Sequence, residues 1–200
     1  MSALVAALLL QAASGPSVIE VPVLVPGRFV RSTGGLACTQ TGEELARNRG
    51  YESCLRIGSL RIGMPRAEAE ALLGEPFTSM GDPDGGRAHI YVLAWEGRAG
   101  ESQPRAYLAV VYGQDGGAKM IQLSGQRPPG PPWSMSGVEL GSSDAILRRT
   151  LGQPFASHPV QRNGAVQWSY RPWPISFEVK DSTVISIRVE APGADAPANP

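Results

Sequence analysis

Two histidines, two cysteines and one Ser-Ser-Asp run are the side chains of this sequence best suited to chemistry, and none falls into a reactive pattern. His89 and His158 have no thiol and no second histidine nearby, and there is no CxxC, so no metal ligand set is read and no cofactor is expected. Ser142-Ser143-Asp144 could offer a nucleophile and an acid. It opens a predicted helix, however, where Ser142 caps a free N–H and Asp144 favours the positive end. Glu68 and Glu70 stand two apart on a predicted helix and point to different sides, which rules them out as a carboxylate pair. Trp133, Trp168 and Trp173 near Tyr170 could form a platform for a sugar, but the apolar alternation of a strand claims Trp168. GxSxG, the P-loop, GxGxxG and HExxH are all absent. The expectation is a chain with no catalytic residues, not an enzyme.

The cysteines point to a compartment instead. Cys38 and Cys54 enclose 15 residues, and a bridge across such a loop stabilises by about 3 kcal/mol in the chain-entropy view. A bridge implies export; two unrelated buried thiols in a cytosolic protein are the alternative. Ala3 to Leu10 is an unbroken apolar run followed by Ala12, Ala13, Ser14 and Gly15, which reads as a signal peptide over 1–14. The run is too short to span a bilayer. No Lys or Arg precedes Arg28, so either the true start lies upstream or the segment is a short buried strand or helix. No cysteine follows the run, hence no lipid anchor is expected. The expected location is periplasmic or secreted.

Charge adds an exclusion. The formal net charge is zero, Lys occurs only at 119 and 180, and no basic block exists, which argues against nucleic acid and against electrostatic attachment to a membrane. With 24 Gly and 18 Pro, turns are favoured over long helices.

The elements that must position these residues come in two sets. Gly63, Gly74, Pro76 and Phe77 recur as Gly141, Gly152, Pro154 and Phe155 at one constant offset, and Leu73 recurs as Leu151. Glycine, proline and aromatic punctuation at a fixed spacing reads as a tandem repeat. In each copy a glycine turns the chain, a short helix follows, and a left-handed glycine cap ends it, with Pro65 at the first helical position of copy one. Ala69, Leu72 and Leu73 share one predicted helix face, as do Leu147, Thr150 and Leu151. The predicted fold is α+β: two tandem repeats, each with a short helix packed on one face of an antiparallel three- to four-stranded sheet. The predicted divisions are a signal peptide 1–14, an N-terminal extended segment 15–37, repeat one 38–125, a Pro-rich linker 126–132, repeat two 133–190 and a disordered tail 191–200.

Within repeat one a helix is expected over Thr41–Asn48, a turn-rich loop over 78–87 and strands over His89–Trp95, Arg105–Tyr112 and Ala118–Ser124. In repeat two Val166, Trp168, Tyr170, Ile175, Phe177, Val179, Ile185, Ile187 and Val189 alternate with polar residues, which gives one core face and one wet face. Repeat one breaks that rule. Placing Tyr91, Leu93, Trp95, Val111, Ile121 and Leu123 in its core leaves Ile90, Val92, Leu108, Val110, Tyr112 and Met120 on the opposite face, still apolar. Either Val18–Val25 or the linker covers that face, or it binds a partner.

The pattern of a leading Ile or Leu, Gly-Met, a short helix, Leu-Leu-Gly-x-Pro and a strand with Trp or Tyr resembles the small outer-membrane assembly lipoproteins of the BamE (SmpA/OmlA) type. A tandem of such units resembles the β-lactamase inhibitory protein fold. Pro65 stands where the family carries Thr or Ser, the anchor cysteine is missing, and copy two has no cysteines. The resemblance implies an α+β envelope or secreted module that binds protein. The expected function is a non-enzymatic exported protein-binding module using Ile90, Val92, Leu108, Val110, Tyr112 and Met120. The alternatives are an inhibitor of an exported enzyme that inserts the Asp82–Gly86 loop into its target, and an enzyme whose site is not visible.

Overall fold

The structure, a computed structural model, describes residues 27–33, 35–39, 53–81, 85–97, 103–130 and 133–193. A hairpin of β1 (Arg28–Ser32) and β2 (Gly35–Thr39) leads to a second of β3 (Arg56–Ile57) and β4 (Leu60–Arg61). Helix α1 (Arg66–Leu73) follows, then β5 (Thr78–Gly81), β6 (Arg87–Glu96), β7 (Gln103–Tyr112) and β8 (Ala118–Gly125). The second half runs through a hairpin of β9 (Ser134–Met135) and β10 (Val138–Glu139), then α2 (Asp144–Leu151), β11 (Ala156–Val160), β12 (Ala165–Ser169), β13 (Ile175–Lys180) and β14 (Thr183–Glu190).

The long strands form one antiparallel sheet of eight, in the order β11-β12-β13-β14-β8-β7-β6-β5. This corrects the expectation of an α+β pair of tandem repeats with separate three- to four-stranded sheets: the protein is mostly β, its long strands share one sheet, and the described residues hold two short helices. The physical reason lies at the middle. β8 and β14 are the last strands of their halves, and each alone would leave an unpaired edge. They pair with each other, Ile187 opposite Leu123 and Val189 opposite Ile121, so both edges vanish and one apolar face runs across the junction.

Each helix starts where the last hairpin of its half holds it. The Arg66 N–H donates to the Gly116 carbonyl, and the Asp144 N–H donates to the Ser182 carbonyl. Pro65 is the residue before α1 rather than its first helical residue. Ser143, not Ser142, caps α2 by accepting from the Ile146 N–H at 3.3 Å, while the Ser142 hydroxyl accepts from the Glu139 N–H. Gly74 (φ 78°, ψ −162°) and Gly152 (φ 88°, ψ −164°) end the helices. They are not the left-handed caps expected; positive φ with extended ψ is a region essentially reserved for glycine.

The core lies on one side of the sheet. Tyr91, Leu108, Leu123, Ile187, Phe177 and Trp168 follow one another across six strands by register, and all are buried. The helices and hairpins cover this row with Phe29, Ile57, Leu60, Ala69, Met135, Val138, Leu147 and Leu151. Leu72, expected on the packed face of α1, is exposed.

Leu108, Val110 and Tyr112 belong to this core, at 0%, 1% and 2% exposure, and not to an outer binding face. Ala106 to Tyr112 is apolar on both faces, so alternation cannot set its phase. Pairing of Tyr91 with Leu108 and His89 with Val110 sets it, which turns Val111, expected inside, to the other face. Trp95, expected in the core, is 48% exposed; it lies next to the end of β6, beyond an irregularity at Ala94 after which the original register resumes. A shift at Glu178/Val179 puts Val184, not Ile185, into the core, and Val166 is exposed.

β5 falls in the stretch expected to be a loop. Cys38 and Cys54 are bonded, with Cα atoms 5.9 Å apart. The expected helix Thr41–Asn48, the Val18–Val25 segment, the signal peptide and residues 194–200 of the tail lie outside the described residues.

Candidate functional site

Every helix and short hairpin contributes to the core side. Among the described residues no helix or strand lies over the other face of the sheet, and register divides that face into three zones. Ile90, Val92, Ala109, Val111 and Met120 form an apolar zone on β6, β7 and β8. Of the six residues predicted to bind a partner, Ile90, Val92 and Met120 are here, half-buried; Leu108, Val110 and Tyr112 are on the core side.

The middle zone is polar and was missed in the sequence. Gln122 lies opposite Arg188, and Ser124 opposite Ser186, where the two halves meet. The Gln122 carboxamide N–H₂ donates to Ser124 Oγ at 3.0 Å and Ser186 Oγ at 3.1 Å, and the two hydroxyls are 3.0 Å apart. Arg188 donates to Gln122 Oε1 from Nη2 at 2.7 Å and from Nε at 3.0 Å, and its Nη1 reaches Glu190 at 3.3 Å. Gln122, Ser124 and Ser186 are buried, so this ladder satisfies itself and acts as a rigid polar strip. The readable signal was the alternation of Gln122, Ser124, Ser186 and Arg188 within apolar strands.

The third zone is a cleft of about 510 Å³ over the second half. Its floor is small: Ala156, Ser169 and Ser176 are cross-strand neighbours, and their short side chains leave a hollow between longer ones. Phe155, His158, Gln167, Arg171, Trp173 and Glu190 stand around it. Trp173 is fixed from below by Phe29, ring to ring at 5.1 Å. His158 is an exposed residue of β11 on the cleft wall.

On the core side, His89 lies in a polar cluster under α1. It is 4% exposed, with Nδ1 3.4 Å from the Tyr91 hydroxyl and 3.5 Å from Glu70 Oε1. Burial pushes its pKa below the usual 6.5, against the attraction of Glu70. The buried Tyr112 ring stands edge-on to it at 5.2 Å. The Tyr112 hydroxyl interacts with that of Tyr91 outside ordinary hydrogen-bond geometry. Burial raises the pKa of both tyrosines, so they stay neutral donors and acceptors. The cluster packs the helix onto the sheet, and its histidine is closed to a substrate. Glu68, as its helical position required, points away and pairs with Arg61.

Among the described residues no group of His, Cys, Asp and Glu could hold a metal ion, and no helix is long and apolar enough to cross a membrane. No protein-family model and no curated protein matches the sequence. Among solved structures, the chain is similar to a DUF4309 family protein, YjgB, from Bacillus subtilis, with TM-score 0.45 and 19% identity over 74% of this chain and 96% of that one. It is also similar to an extracellular protein containing a SCP domain from Bacillus anthracis, with TM-score 0.42 and 10% identity over 65% of this chain and 44% of that one. A cysteine-rich secretory protein from Staphylococcus aureus matches with TM-score 0.40 and 13% identity over 70% and 50% of the two chains. The chain spans half or less of the last two. None of the three is named as an assembly lipoprotein or a β-lactamase inhibitor, and likenesses this loose assign neither family nor function.

Proposed function

We propose that this protein is an exported, non-enzymatic module of the cell envelope or the exterior that binds another protein on the face of its sheet opposite the described helices. The observation that carries this reading is the asymmetry of the sheet: one face is buried under every helix and hairpin, while the other presents Ile90, Val92 and Met120 with no described element above them. Burying such apolar area yields about 25 cal/mol per Å², and the polar strip beside it fixes how a partner sits. The Cys38–Cys54 bond supports export, because such bonds persist in oxidising compartments. The non-enzymatic part rests on the sequence, which carries no catalytic motif.

Val92→Lys tests it. Val92 is half-buried on the face opposite the described helices, so the variant should fold, with a melting point close to wild type. It should lose both the partner captured by wild type from an envelope extract and the cross-links to β6 and β8. Capture unchanged by Val92→Lys removes the face from the proposal. Two free thiols in protein purified unreduced from the periplasm would count against export.

A further inference from the structure

We propose that the cleft over the second half is a binding site for a small ligand carrying a carboxylate next to a flat ring. It lies apart from the apolar zone and does not depend on the partner-binding reading. Three observations converge on it. The floor is made of small side chains on three adjacent strands, Ala156, Ser169 and Ser176, and the resulting volume, about 510 Å³, is in the range of small-molecule sites.

The second observation is an aromatic ring without a partner. Phe77 and Phe155 occupy matching places: each follows its helix, and each donates its N–H to the second long strand of its half, Phe77 to Ile90 and Phe155 to Ser169. Phe77 has Trp95 edge-on at 5.4 Å. Phe155 is 71% exposed and has no ring against it among the described residues, yet it lines the cleft. A ligand ring there would meet Phe155 as Trp95 meets Phe77.

The third observation is charge. Two guanidinium groups line the cleft. Arg188 is held by Gln122 and Glu190. Arg171 is exposed and has no acidic partner among the described residues, so one positive charge is left for an anion. Guanidinium matches a carboxylate with two parallel donors, and the hydroxyls of Ser169 and Ser176 and the carboxamide of Gln167 add neutral donors and acceptors. Ring and carboxylate could come from a free aromatic acid or from a polypeptide ending in an aromatic residue.

Calorimetry and amide chemical-shift titration with 3-phenylpropionate, its neutral amide, the tripeptide Ala-Ala-Phe and that tripeptide's C-terminal amide test the assignment. For a ligand this small, saturable binding at about millimolar Kd is expected, with shifts centred on residues 155–158, 167–176 and 188–190. The amides should bind at least about tenfold more weakly, the size of losing one charge-assisted contact. Arg171→Gln and Phe155→Ser alter exposed side chains, so both should keep the wild-type melting point, and each should weaken binding of the acids about tenfold. Tighter binding of the tripeptide would assign the cleft to a polypeptide end, and tighter binding of phenylpropionate to a free acid. Acids and amides binding alike, binding untouched by both substitutions, or no saturation in folded wild-type protein overturns the proposal.

Discussion

The two halves fill one structural slot in opposite ways. Glu70 is the fifth residue of α1 and Arg148 the fifth of α2. Each leans over an aromatic ring on the second long strand of its half, one residue before the strand residue that accepts the Phe77 or Phe155 N–H. In the first half the pair is Glu70 and His89, 3.5 Å apart. In the second the Arg148 guanidinium lies 4.2 Å from the centre of the Trp168 ring. The geometry is shared, but the chemistry is not. A guanidinium is drawn to the indole face by the ring's quadrupole, whereas imidazole beside a carboxylate changes charge with protonation. The lesson is that the fold demands a ring under the helix and is indifferent to its electrostatics, so at this slot the first half carries a titratable ring and the second an indole. The neighbouring tyrosine shows the same divide: Tyr170, whose pKa burial pushes up to about 12, donates to the Gly152 carbonyl, while Tyr91 turns to His89.

The largest expected effect separates the two rings. Trp168 is nearly buried, and Trp168→Ala should cost about 3–5 kcal/mol, read from urea unfolding. His89→Ala removes a smaller ring and should cost less. Equal losses would mean that the slots are not matched by packing.

Next come the helix ends, where the halves are alike. Gly74→Val and Gly152→Val each force a branched side chain into a glycine-only conformation and should each cost about 1–3 kcal/mol. A Cβ meets nothing within 4 Å at Gly74 and only the Arg31 side chain, at 3.7 Å, at Gly152, so the cost expected is that of the backbone conformation. Melting points that fall together sustain the equivalence; a loss at only one end breaks it.

The first half should carry a pH dependence at His89. The folded pKa of His89 lies below 6.5, so between the two values the unfolded chain binds more protons. Its contribution is therefore whole above pH 6.5 and is lost as pH falls from there through the folded value. His89→Gln should flatten the stability profile in that window. Glu70→Gln, by removing the charge that favours imidazolium, should steepen it. A His89→Gln profile parallel to wild type would sink the titratable joint.

The smallest effect lies in the hairpins that hold the helix starts. The second half uses Asp181 and Ser182, at φ 48° and 58°, where the first uses Gly116 at φ 77°. Ser182→Gly relieves a side chain in left-handed backbone but loosens the unfolded chain, for a net gain of a few tenths of a kcal/mol, up to about 1. Calorimetric melting showing a loss instead would mean that the serine is held there for another reason.

Local order was written in the residues. Glycines 63, 74, 141 and 152 mark the helix boundaries because their positive φ is a property of the residue type. The long strands of both halves follow from β-branched and aromatic runs, and the Cys38–Cys54 bond from a spacing that a loop can close. In the second half, polar alternation also named most of the core, Trp168, Phe177, Ile187 and Val189 among it. Three things were decided only in three dimensions. The phase of β7 came from its pairing with β6, because a strand apolar on both faces carries no information about which face is inside. The register shift at Glu178/Val179 moved Val184 in, because one uncompensated irregular pair reverses every later side chain. The union of β8 with β14 made one sheet of two, and with it the polar strip, because edge pairing joins residues more than sixty positions apart and local sequence cannot say which edges meet.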